Sequence, residues 1–162
     1  MIQKKICMLG GFGVGKTSLV SRFVHSIFSD TYLTTIGVKI DKKTVDLGRE
    51  RVDLILWDIH GEDDFQKVRM SYLRGSSGYL LVADGTRRGS LDVALELHEQ
   101  ARLTVGHVPA ILAINKADLA STWDIDPVAL QALDLPVVRT SAKTGSEVEE
   151  TFASLARAMN VT

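Results

Sequence analysis

The chain has 162 residues, of which 45% are hydrophobic and 24% charged, and a formal net charge of −1. That length suits one domain spanning residues 1–162, and the balance excludes a disordered or fibrous chain. So small a net charge creates no field that would draw in a nucleic-acid backbone, and no nucleic-acid partner is expected. The lone cysteine, Cys7, excludes an internal disulfide and accords with a reducing cytoplasm, the expected location.

No apolar run approaches the ~18 residues that a membrane span needs. Residue 2 is isoleucine rather than glycine, and Asn160-Val161-Thr162 offers no cysteine to prenylate, so no direct membrane anchor is expected in this chain.

In chain order, apolar runs predict strands over Lys5–Leu9, Val38–Leu47, Val52–Asp58, Tyr79–Asp84, Ala110–Asn115 and Pro136–Arg139. Helical patterns fall between them, near Lys16–Ile27, Phe65–Leu73, Ser90–Val105, Pro127–Leu133 and Ser146–Met159. The last is the clearest, because Val148, Phe152, Leu155 and Met159 recur at helical spacing as one apolar stripe. Alternation of this kind predicts an α/β fold, a mostly parallel six-stranded sheet with helices on both faces. One junction breaks it. Only Gly48-Arg49-Glu50-Arg51 separates the second and third strands, too short for a crossover, so these two form a hairpin and one edge strand is antiparallel. In such sheets ligands bind beyond the carboxyl ends of the parallel strands, and the polar motifs cluster there or in loops that can reach it.

After the first strand comes Gly10-Gly11-Phe12-Gly13-Val14-Gly15-Lys16-Thr17, which fits G-x-x-x-x-G-K-[ST] and opens a helix. Glycines let the backbone wrap around phosphates with its N–H groups pointing inward, and the helix amino terminus adds positive potential. Gly11, Phe12, Gly13, Val14, Gly15, Lys16, Thr17 and Ser18 are therefore assigned to nucleotide binding. Lys16 would reach the β- and γ-phosphates, and the Thr17 hydroxyl would ligate Mg²⁺. This loop alone does not distinguish GTP from ATP.

Asn115-Lys116-Ala117-Asp118 follows the fifth strand, and Ser141-Ala142-Lys143 follows the sixth. Guanine presents two adjacent donors, N1–H and the 2-amino group, and one carboxylate such as Asp118 accepts both. Adenine lacks that amino group, and a site built for paired bonds rejects it. Lys116 would lay its stem along the base, and the Ala142 N–H would face the guanine carbonyl. An Asn-Lys-x-Asp segment also resembles a helix cap, but here its place and its Ser-Ala-Lys companion favour guanine.

These motifs resemble the Ras superfamily of small GTPases, most closely its Rab branch, over nearly the whole chain. Thr35-Ile36-Gly37-Val38 resembles the first switch, and Leu56-Trp57-Asp58-Ile59-His60-Gly61 the second. Ser71-Tyr72-Leu73-Arg74-Gly75 resembles the Rab segment after it. The resemblance implies a switch that binds GTP or GDP with Mg²⁺, hydrolyses GTP slowly, and signals to effector, exchange-factor and activating proteins through its switch loops. It implies Thr17 and Thr35 as metal ligands, Asp58 holding a metal-bound water, and Gly61 donating its N–H to the γ-phosphate. Phe28 would stack on guanine, or else close the first helix against the core. With Lys16, Thr35 and Gly61, Glu62 would complete the hydrolytic set.

Three residues depart from the family around the γ-phosphate. Phe12 stands where a small residue is usual, His60 replaces an alanine, and Glu62 replaces the water-orienting glutamine. The alternative to a hydrolysing switch is therefore a guanine-nucleotide-binding module that does not hydrolyse. An ATP-dependent kinase fits neither Asn115 to Asp118 nor the short chain.

Overall fold

The computed structural model describes residues 2–28, 37–59 and 68–159. Its strands are β1 (Ile2–Gly10), β2 (Val38–Asp46), β3 (Arg51–Ile59), β4 (Gly78–Asp84), β5 (Ala110–Asn115) and β6 (Val137–Arg139). They form one six-stranded sheet in the order β2-β3-β1-β4-β5-β6. Only β2 pairs antiparallel, opposite β3 from Val38↔Ile59 to Asp46↔Arg51, and it lies at the edge as its short connection requires. All the other pairings are parallel.

Alternation along the central strands builds two cores. Ile6 and Met8 of β1 face one side of the sheet, while Cys7 and Leu9 face the other, and all four are fully buried. Every residue of β4 is buried, which is why it reads as an unbroken apolar run. On the first side lie helices α1 (Lys16–His25) and α4 (Val148–Met159), joined by Phe23 stacked on Phe152 at 4.1 Å between ring centroids. The stripe Val148, Phe152, Leu155 and Met159 is buried against this core, as its spacing predicts. Helix α2 (Arg88–Val105) covers the second side through Leu91, Ala94, Leu97 and Ala101, and the short α3 (Pro127–Gln131) follows β5.

Several expected boundaries shift for local reasons. Helix α1 stops at His25 rather than Ile27, because Ser26 turns left-handed (φ 57°) and its N–H closes on the Arg22 carbonyl. In the expected helix 65–73, the described part is a 3₁₀ turn, Met70–Leu73. Lys5 pins that turn to β1, its Nζ donating to the Tyr72 and Arg74 carbonyls at 2.6 and 2.7 Å. Helix α3 ends at Gln131, helix α4 begins at Val148, and a 3₁₀ segment at Ala117–Thr122 has no counterpart in the sequence pattern. Among the described residues no helix is long and apolar enough to cross a membrane.

Candidate nucleotide site

At the carboxyl ends of β1, β4, β5 and β6 the polar motifs converge. Strand β1 runs into the glycine loop, whose last residue, Gly15, caps α1 in a left-handed conformation. That turn aims the start of α1 across the sheet end, where the positive end of the helix favours an anion. Lys16, at the first position of α1, is buried, with Nζ 3.4 Å and 3.3 Å from the Gly10 and Gly11 carbonyls. Burial lowers its pKa from the usual 10.5 to about 8, and the nearby Asp58 carboxylate opposes that drop. A buried cation with so little opposing charge is suited to a polyanion. Phosphate groups would restore the favourable electrostatics.

Thr17 Oγ1 donates to Asp58 Oδ2 at 2.7 Å, so a residue of α1 and the buried carboxylate near the end of β3 already meet. A hydroxyl and a carboxylate are hard oxygen donors, the set that Mg²⁺ prefers when most of its shell is water and phosphate. The residues present fit the metal.

Asn115, at the end of β5, ties the expected segments together. Its Nδ2 donates to the Val14 carbonyl at 3.1 Å, while its Oδ1 accepts from Thr140 Oγ1 and the Ala142 N–H, both at 3.3 Å. Phosphate loop, Asn-Lys-x-Asp and Ser-Ala-Lys thus meet at one buried amide. The exposed Asp118 is oriented by Ser141, whose Oγ donates to Asp118 Oδ1 at 2.7 Å. Arg22 braces the Ser-Ala-Lys loop from α1, with Nε donating to the Ala142 carbonyl at 2.8 Å and Nη2 to that of Lys143. Phe28 is partly buried against the first core. Thr35, His60, Gly61 and Glu62 lie outside the described residues.

Four contributors escaped the sequence reading: Arg22, Asp84, Arg87 and Trp123. Asp84 ends β4 fully buried, and its Oδ2 accepts from Lys116 Nζ at 2.7 Å and Arg87 Nε at 3.1 Å. Its pKa falls below the ordinary carboxylate value. Burial pushes it up, but hydrogen bonds from Lys116, Thr86 and Arg87 together outweigh that. A lone acid closing an apolar strand at the ligand end was the available signal. Trp123 donates its indole N–H to the Lys116 carbonyl at 2.8 Å and packs its indole closely against Gly85. Any Cβ at position 85 would come within 2.1 Å of the indole, so glycine is needed there.

The Ras family model matches residues 5–161. The chain is 35% identical over 158 residues to Ras-related protein Rab-1D of Dictyostelium discoideum, covering 94% of this chain and 78% of that protein. It is also 35% identical over 158 residues to GTP-binding protein YPT1 of Saccharomyces cerevisiae, covering 94% of this chain and 77% of that one. With the sheet order and the convergence of motifs at Asn115, these matches place the chain in the Ras family, as a Rab-like small GTPase.

Proposed function

We infer that the chain is a guanine-nucleotide switch that binds GTP and GDP, hydrolyses GTP and presents its nucleotide state to other proteins. The observation that carries this reading is Asn115, whose one side chain joins the phosphate loop to both base-reading segments. On this reading the backbone from Gly11 to Gly15, with Lys16, Thr17 and Ser18, receives the phosphates. Lys16 offsets their charge from within the loop. Asp118 accepts the paired guanine donors, Lys116 lines one face of the base, and Ser141, Ala142 and Lys143 close over its edge, with Phe28 stacking opposite.

Thr17 and Thr35 would hold Mg²⁺ and Asp58 a water of its shell; when bound, the ion neutralises phosphate oxygens and aligns them. Thr35 and Gly61 would contact the γ-phosphate only while it is present, so hydrolysis would release both and change the surface that effectors, exchange factors and activating proteins meet. Glu62 accepts from the attacking water but cannot donate as a glutamine would, so intrinsic hydrolysis is slow.

Base selectivity tests the site. Asp118→Asn puts an N–H donor where the carboxylate accepts, which suits the second carbonyl of xanthine. The variant should lose labelled GDP and gain xanthosine diphosphate. Retention of the guanine preference would mean that the base is read elsewhere.

A further inference from the structure

We propose that Arg87 is a positioning residue of the nucleotide site: it orients the phosphate loop from outside and links it, through Asp84, to the base-reading loop. The inference rests on the nucleotide-site reading above. Arg87 precedes α2 and stands 75 residues from the loop it touches. Its Nε donates to the buried Asp84 Oδ2 at 3.1 Å, and its Nη2 donates to the Phe12 carbonyl at 2.9 Å. Asp84 Oδ2 also takes Lys116 Nζ at 2.7 Å. A continuous path therefore runs from the Phe12 peptide through Arg87 and Asp84 to Lys116, separate from the one through Asn115.

The contact with Phe12 has a direct consequence. A trans peptide is planar, and its N–H points opposite to its C=O. Holding the Phe12 carbonyl toward Arg87 turns the Gly13 N–H the other way, to the side where a phosphate oxygen would accept it. Arginine suits this task because its fork reaches carboxylate and carbonyl together, whereas a lysine ammonium is a single point of charge. Asp84, held by Thr86 N–H and Oγ1 at 2.9 and 2.7 Å, is a fixed anchor for the fork.

Release of fluorescently labelled GDP from wild type, Arg87→Ala, Arg87→Lys and Arg88→Ala tests the proposal. Arg88 pairs with Asp124 at 2.8 Å, both exposed, so its removal takes away the same charge without touching the loop. Arg87→Ala should release GDP about tenfold faster, equivalent to about 1.4 kcal/mol, and Arg88→Ala should stay within about twofold of wild type. Arg87→Lys should remain faster than wild type, since charge alone does not hold the Phe12 carbonyl. Urea midpoints of the nucleotide-free proteins measure separately the stability lost with the Arg87–Asp84 bond, and Arg87→Ala should stay folded under the conditions where GDP release is read. Equal release from the two alanine variants, or full recovery with lysine, would overturn the proposal while leaving the nucleotide site intact. A wild type that does not hold GDP would instead remove the site reading on which it rests.

Discussion

Gly15→Ala is the sharpest perturbation of the site, because one methyl group disturbs two things at once. Gly15 has φ 101°, a conformation that costs an L-residue about 1–2 kcal/mol. Its new Cβ would stand 2.3 Å from Asn115 Nδ2, so the amide must move. That amide makes three hydrogen bonds, to Val14, Thr140 and Ala142, each worth about 1 kcal/mol net. Strain and lost bonds together come to about 4–5 kcal/mol, a large share of the ~5–15 kcal/mol that holds a domain folded. In an Asn115→Ala background the methyl meets no amide, and only the conformational cost remains, about 1–2 kcal/mol. The coupling energy is then about 3 kcal/mol. Urea unfolding of the four nucleotide-free proteins measures it without a ligand contributing by mass action. A Gly15→Ala cost below about 1 kcal/mol, or the same cost in both backgrounds, would refute the contact and the argument built on it.

Lys16→Ala should abolish tight binding of labelled GDP while the circular dichroism of the fold persists, since the Lys16 amine serves the phosphates and not the core; unchanged affinity would remove the loop's assignment. Asp84→Asn should lower stability at pH 7 by about 1–3 kcal/mol, because a depressed carboxylate pKa stabilises above its unfolded value near 3.8. That contribution disappears as the pH falls through the lower folded value, so urea unfolding should show the gap between the two proteins closing in acid. Phe12 is 41% exposed on the phosphate loop, and on the proposed reading its benzyl group would obstruct an arginine supplied by a partner. Phe12→Gly should therefore restore acceleration by a Rab-type activating protein with Glu62 retained, whereas a rate that rises only in Glu62→Gln would assign the defect to the missing amide.

How much was legible in the sequence follows from where its signals lie. The glycine loop, Asn115 to Asp118 and Ser141 to Lys143 are contiguous, and each follows a strand whose apolar run marks its end, so their meeting could be predicted. The hairpin of β2 and β3 was legible because its connection is only Gly48 to Arg51. Arg87 and Asp84 were not, since the contacts that give them meaning join residues as far apart as Phe12 and Arg87. Nothing in the residues around Trp123 announces that its ring will cover Gly85. Local pattern also overshot α1, because a left-handed Ser26 is set by a single backbone turn and not by the apolar period.

The central claim is a site that binds guanine nucleotide and hydrolyses it, and single-turnover phosphate release from pre-bound GTP tests it most directly. With Mg²⁺ added, wild type should release one phosphate per protein slowly, Lys16→Ala none, and ATP should neither bind nor yield phosphate in its place. Tight GTP binding with no phosphate released would leave only a binding module, and equal turnover of ATP would contradict the account of Asp118 and Asn115 altogether.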